Sequence, residues 1–343
     1  GGGGAHRLKL DVVVQSRRDG SLGAAAAALQ RALAEQAASL GGLLKAGVAL
    51  VACAVLPEGL AVPVCLEYAL AVGEEASEPS ARPLRERLHA QLGLPLDRPL
   101  LRTCNALGGG GGGGAPAYLL RSPHEGLAPS GLAGGVISLV QGEYEYYHYL
   151  QPTGTGRTDK YDDNGWGCAY RSLQSIISWF RLQRYTSHPN PSHYQIQKTL
   201  VDHCGQEADG LLGKKTWLGS QDLGFYLEHA LGVQCRFLSC ASGHDIAANA
   251  RQLARHFESQ GTPVMIGGGE LAFTLLGVDF NERTGEARFL IMDPHYVGPD
   301  DLSQIRPKWV GWKSQDSTTH LGTKLFQQGE LYNLCLPQRP SCV

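Results

Sequence analysis

Three residues of this chain could do nucleophilic chemistry together: Cys168, Asp293 and His295. Cys168 follows Gly165-Trp166-Gly167, whose two glycines permit a sharp turn. It opens a segment in which Leu173, Ile176, Ile177 and Phe180 recur at the spacing of one buried helix face. A thiol at a helix start faces unpaired backbone amides and the positive end of the helix dipole, which favour the thiolate. The plainer reading of the same residues is a small core cysteine behind a glycine turn. Asp293-Pro294-His295 ends an apolar run, Phe289–Met292. In an extended chain residues i and i+2 share a face, about 6.6 Å apart, and Pro294 keeps Asp293 extended. Asp293 can then accept from Nδ1 of His295 and leave Nε2 free to exchange a proton with a thiol, as base and orienter do in a Cys-His-Asp triad. Asp-Pro-His alone is also what a solvated strand end looks like. Joined to a helix-start cysteine, it predicts a thiol hydrolase.

The elements that must hold these residues lie in the second half of the chain. Val136–Val140 reads as a strand, followed by an aromatic run from Tyr144 to Tyr149. Cys168–Gln183, Asp222–Leu231 and Ile246–Gln260 carry helical periodicity. Pro263–Ile266 and Ala272–Phe280 are extended, and the Asn281–Gly285 turn leads into a strand at Ala287–Asp293. Helices first and sheet later predict an α+β plan.

The first half differs in composition. All five Trp and all eight Phe follow residue 140, and Gly108–Gly114 is an unbroken glycine run of linker type. We therefore expect an N-terminal α+β interaction or recruitment domain over residues 1–107, a Gly-rich linker over 108–135 and the chemistry-bearing domain over 136–343. Within the first, Gly23–Leu40 reads as a helix; Leu8–Val14, Ala46–Leu56 and Leu60–Val72 read as strands, with a Pro57-Glu58-Gly59 turn between the last two.

Composition excludes several classes. A net charge of −2 leaves no basic footprint, so no nucleic-acid partner is expected. No run of 18 apolar residues occurs, so the sequence predicts no transmembrane span. The chain opens at Gly1 without Met, so a native start and any targeting segment are expected elsewhere. The nine cysteines are odd in number and form no CxxC pair, which argues for free thiols in a reducing compartment and against a zinc framework. Gly210–Thr216 has the wrong glycine spacing for a phosphate loop, Asp159–Asn164 lacks the closing Glu of a calcium loop, and His203-Cys204 has no second ligand pair. No cofactor and no metal are predicted. Gly267-Gly268-Gly269 reads either as a plain loop or as a close backbone approach beside the active cleft.

Four motifs in order closely resemble the ubiquitin-fold modifier-specific cysteine proteases, nearest their longer, type 2 form. They are Asp162-Asp163-Asn164-Gly165-Trp166-Gly167-Cys168-Ala169-Tyr170-Arg171-Ser172, Gly261–Gly269, Asp293-Pro294-His295-Tyr296 and Tyr332–Pro340. The resemblance covers roughly residues 136–343. Autophagin proteases also combine a Gly-Trp-Gly-Cys turn with an Asp-Pro-His strand end; the glycine triplet and the C-terminal ending favour the first family. The resemblance implies a papain-like fold, trimming of the modifier precursor after its C-terminal glycine, and hydrolysis of the isopeptide bond to target lysines. Cys168 would be nucleophile, His295 general base and acid, Asp293 orienter. It further implies that Tyr149, within His148-Tyr149-Leu150-Gln151, stabilises the oxyanion. Tyr147 is its competitor, because continued strand pairing would place both on one face and Tyr146 on the other. Trp166 would either wall a narrow slot for the glycine tail or anchor the turn in the core. The implied partners are the modifier and its conjugates, and a membrane-anchored endoplasmic reticulum adaptor engaged by the N-terminal domain, giving a cytoplasmic protein recruited to the reticulum surface. The rival from another class is a non-catalytic modifier-binding module.

Overall fold

The structure, a computed structural model, describes residues 14, 20–45, 48–55, 64–71, 78–94, 96, 119–150, 161–183, 185–186 and 188–340. The chain divides into two compact units, one built from Gly1–Gly114 with Arg184–Ser187 and Ser341–Val343, the other from Ala115–Gln183 and His188–Pro340. The strand expected at Leu8–Val14, the Pro57–Gly59 turn and the Gly108–Gly114 run lie outside the described residues, Val14 excepted.

In the first unit α1 (Leu22–Lys45) packs on β1 (Val48–Val55), which pairs antiparallel with β2 (Val64–Ala71) from Val48↔Ala71 to Val55↔Val64. α2 (Glu78–Leu92) follows, with Pro83 inside it. The alanine run favours α1 because alanine loses no side-chain entropy in a helix. No helix among the described residues is long and apolar enough to cross a membrane.

The second unit opens earlier than the glycine content suggests. Residues 119–135, expected to be linker, pack onto it: Ser122 N–H donates to Tyr144 O at 2.9 Å, and the Arg306 guanidinium donates to the carbonyls of Pro123 and Glu125. Turn-forming Ser, Pro and Gly there shape a bound turn rather than a free tether.

Its elements run β3 (Val136–Leu139), α3 (Cys168–Leu182), α4 (His193–Cys204), α5 (Ala208–Leu211), α6 (Ser220–Leu231), β4 (Cys235–Cys240), α7 (Gly243–Ala248), α8 (Ala250–Ser259), β5 (Val264–Gly268), β6 (Leu271–Phe280), β7 (Ala287–Met292), α9 (Leu302–Ile305), β8 (Val310–Lys313) and β9 (Tyr332–Pro337). The strands form one seven-stranded antiparallel sheet, β4-β9-β5-β6-β7-β8, with β3 also paired to β6. Gly277 lies where β3 docks, and a Cβ there would come within 2.8 Å of Ser138 O. The helix expected over Ile246–Gln260 is two, because Asn249 breaks it: its side chain donates to Asp245 O and its backbone N–H caps the same turn.

α3 sits against β5 and β6 and is buried from Cys168 to Phe180. Leu173, Ile176, Ile177 and Phe180 are fully buried, each contributing about 1.5–3 kcal/mol relative to exposure. The helix is polar on its other face, where Ser175 and Ser178 hydroxyls accept from the N–H groups of Tyr147 and Glu145. Those bonds lay the aromatic run along the helix that begins with Cys168.

Candidate active site

Cys168 is the first residue of α3, and the preceding Gly167 carries no capping side chain, so the first-turn amides are not consumed by a cap. The turn before it is specified residue by residue. Gly165 has φ 83°, and a Cβ on Gly167 would lie 2.5 Å from Cβ of Asp163. Asp163 O accepts from the N–H groups of Trp166 and Gly167. Its buried carboxylate accepts from Arg171 Nε at 2.5 Å and His193 Nε2 at 3.1 Å, and its other oxygen accepts from Leu150 N–H at 3.0 Å. Burial alone would raise its pKa; the bond from His193 and the charge of Arg171 prevail and hold it at about 2. Asp163 thus ties the nucleophile turn to the residue after Tyr149. Leu150 itself sits at φ 47°, a strained conformation for a leucine.

Asp293 and His295 emerge from β7. Asp293 N–H donates to Trp309 O at 2.7 Å, and its Oδ1 accepts from both the N–H of His295 at 2.9 Å and the ring Nδ1 at 2.5 Å. Nε2 of His295 has no hydrogen-bond partner among the described residues. Burial alone would lower the histidine pKa, but Asp293 and the Cys168 thiol beside the ring draw it above the ordinary value. Burial would raise the Asp293 pKa, but the hydrogen bonds from His295 and the nearby His320 ring, 3.9 Å from its other oxygen, instead bring it down. The imidazole therefore has its Nδ1 committed to a carboxylate and Nε2 available to sulfur.

Tyr149 is buried edge-on against His295, ring centroids 5.2 Å apart at 83°. Its N–H donates to Pro294 O at 2.9 Å, and the carbonyl accepts from Nδ1 of His148, whose Nε2 meets Asp300 at 3.0 Å. Burial, and next the Cys168 thiol, push the phenol well above its ordinary pKa, so the hydroxyl keeps its proton; the Cys168 amide also reaches it. Tyr147 points its hydroxyl at Glu145, 3.1 Å away, while Tyr146 donates to Asp293 O at 2.5 Å. Strand pairing does not continue through this run, since residues 146–148 form no strand, and the expected alternation is replaced by three separate anchorages. The long connection after Tyr149 lies at 151–160, outside the described residues.

A cleft of about 310 Å³ opens beside Cys168, lined by Trp166, Trp217, Gly267, Gly268 and Leu331 among others. The glycine triplet closes the end of β5: Gly268 pairs with Leu271, and Gly269 at φ 55° makes the turn. A Cβ on Gly268 would fall 2.1 Å from the Tyr332 ring. Trp166 anchors the turn and stands at the edge of the cleft. Its indole donates to Asp162 O and packs on Tyr170, Tyr161 and His193, and it also borders the cleft. Trp217, 52% exposed, faces the same cleft and donates to Gly165 O at 3.2 Å. Sequence reasoning missed it, as it missed Asp163 and His320; a lone tryptophan after Lys214-Lys215-Thr216 carries no local signal.

Asp293, His295 and His320 offer three ligand-type atoms within 4.8 Å of one another. Asp293 and His295 are already joined by a 2.5 Å hydrogen bond, which makes this a proton-sharing pair as it stands. His203 stacks on His229 at 4.2 Å, away from these groups, and the five cysteines described, Cys168, Cys204, Cys235, Cys240 and Cys335, are free.

An antiparallel sheet with a buried helix headed by cysteine, facing an aspartate–histidine pair, is the layout of papain-like thiol peptidases. Residues 135–335 match peptidase family C78, and the chain belongs to that family. It is 49% identical over 295 residues to a probable Ufm1-specific protease of Oryza sativa subsp. japonica, covering 84% of this chain and 44% of that one. It is 45% identical to Ufm1-specific protease 2 of Homo sapiens, covering 76% of this chain and 52% of that protein. The crystal structure of UfSP from C. elegans superposes with a TM-score of 0.62 at 38% identity, covering 85% of this chain and 51% of the other. The chain spans about half the length of the curated relatives it matches.

Proposed function

We propose that this chain is a thiol protease that trims the Ufm1 precursor after its C-terminal glycine and cleaves the isopeptide bond joining that glycine to target lysines. The observation that carries the reading is the convergence of Cys168, the Asp293–His295 pair and the Tyr149 hydroxyl beside a cleft floored by glycines. The names of the relatives supply the modifier.

In this mechanism Nε2 of His295 takes the thiol proton, and the thiolate attacks the carbonyl carbon of the glycine. The oxygen that becomes negative is met by the Tyr149 hydroxyl and the Cys168 N–H, two donors placed before reaction. His295, now imidazolium and held by Asp293, protonates the leaving amine. A water then attacks the thioester with the same imidazole as base, releasing the modifier carboxylate and the free thiol. Trp166 and Trp217 flank the slot, where a glycine tail fits and larger residues meet indole.

Covalent labelling tests this. Ufm1 bearing a C-terminal electrophile should form an adduct at Cys168, and none with Cys168→Ser. Binding without an adduct would mark a modifier receptor, and an adduct formed only with the autophagy modifier's probe would reassign the substrate. We also propose that the first unit recruits the protein to the endoplasmic reticulum surface through a membrane-anchored adaptor. The family resemblance and the presence of a separate compact unit support this; loss of co-sedimentation with reticulum membranes on removing residues 1–114 is the expected result.

A further inference from the structure

His320 belongs to none of the motifs that mark the site. It lies in the connection between β8 and β9, on a turn closed by Thr319 N–H to Thr323 O at 2.8 Å and Leu325 N–H to Ser317 O at 2.7 Å. That turn sets its ring on His295, centroids 4.4 Å apart and planes 30° from parallel. Trp309 backs His320 at 5.9 Å. Tyr149 at 5.2 Å and Phe273 at 5.6 Å contact His295 edge-on, so His320 supplies its stacked neighbour.

The carboxylate geometry adds a second observation. Both bonds that Asp293 receives from His295 go to Oδ1, while Oδ2 faces Nδ1 of His320 at 3.9 Å. That is beyond direct hydrogen-bond length but within reach of charge and of one bridging water. A cavity of about 60 Å³ lined by Asp293, His320, Lys313 and Ser317 has room for it. His320 is also among the groups that bring the Asp293 pKa down.

We propose that His320 is a positioning residue, which stacks on His295 and partners the second oxygen of Asp293 so that the imidazole keeps its aim at Cys168 through the cycle. The need arises from the chemistry. Once the sulfur is acylated it no longer engages Nε2, which has no other partner among the described residues, and the ring's orientation then rests on Nδ1 and on its packed faces. This deepens the thiol-protease reading and rests on it. Among the described residues the charged or titratable groups facing the pair are Cys168, Tyr149 against His295, Tyr146 and Lys313 beside Asp293, and Lys308, whose ammonium lies 4.9 Å above the Trp309 ring.

The test compares the parent chain with His320→Ala, His320→Phe and His320→Gln. Two readouts are used: turnover of a Ufm1 precursor, and the pH profile of Cys168 carboxamidomethylation by iodoacetamide, followed on the Cys168 peptide. The second needs no modifier, so it decides the matter even if Ufm1 proves not to be the substrate. His320→Ala should lower kcat about three- to tenfold, the worth of one aromatic stack, leave KM unchanged, and move the alkaline limb of alkylation to lower pH. His320→Phe should recover the kcat loss but not the pH shift, and His320→Gln the reverse. Profiles and kcat of His320→Ala that coincide with the parent overturn the proposal. So does a kcat loss that merely tracks a lowered folded fraction in all three variants.

Discussion

Replacing Asp163 with asparagine should damage the protein more than replacing any charge on its surface. The carboxylate is fully buried between Arg171 and His193, and its pKa is held at about 2 against an ordinary 3.8. A fall of that size corresponds to about 2 kcal/mol of stability. Because the folded value is the lower one, this contribution is complete above the ordinary carboxylate range and fades as pH falls through about 4 toward 2. Asparagine keeps the shape and still accepts from Leu150 N–H, but it removes the negative charge that Arg171, 2% exposed, meets at 2.5 Å. Removing one member of a buried pair costs about 3–5 kcal/mol, or about 6–20 °C in Tm for a unit of this size. Melting followed by circular dichroism should show that gap at pH 7 and show it narrowing below about pH 4, since the variant has nothing to titrate there. Asp163→Ala also cuts the tether to Leu150, so at temperatures where both variants are folded it should turn over substrate more slowly than Asp163→Asn. A melting gap under about 1 kcal/mol, or one independent of pH, would refute the pairing. Equal turnover by the two variants would refute the tether.

What the sequence disclosed follows how local each signal is. Cys168 and the Asp293–His295 pair were legible because each sits in its own grammar: a glycine turn feeding a helical period, and a proline fixing two alternate strand positions. The β5, β6 and β7 strands and the Asn281–Gly285 turn were legible for the same reason; Asn281 Oδ1 accepts from Arg283 and Thr284 and Gly285 takes φ 78°. Asp163 stands inside the nucleophile motif, yet its role depends on Leu150 and on His193 from another helix, contacts that no spacing encodes. α4 went unread although Ser192 and Gln195 form a full capping box, a local signal that was available. Trp217 and His320 had none, since a single aromatic or imidazole acquires meaning only when the chain brings it to the cleft. The split at Asn249 turned on one side chain donating to the turn before it, a choice that periodicity cannot see.

The remaining expectations concern the reacting groups. Tyr149→Phe should lower kcat about 10²–10³-fold with KM and Tm little changed, and Tyr147→Phe, whose hydroxyl serves Glu145, should do far less; the opposite ranking in steady-state assays would misplace the oxyanion donor. Trp217→Ala should relax selectivity for glycine at the cleavage site with little loss of Tm, because the ring is half exposed, whereas Trp166→Ala should lose both; selectivity unchanged in Trp217→Ala would deny it a place in the slot. Asp293→Asn should slow turnover by up to about 10⁴-fold and also change its pH dependence. The carboxylate raises the His295 pKa by stabilising the imidazolium, so the active thiolate–imidazolium pair persists to higher pH while Asp293 is charged. Without that charge the imidazolium loses its proton earlier, and the alkaline limb of kcat/KM must move to lower pH. Asparagine can present its carbonyl to Nδ1 and so retain the orientation, which separates the two effects: a slowed enzyme with an unmoved alkaline limb would mean that Asp293 orients the ring without tuning it.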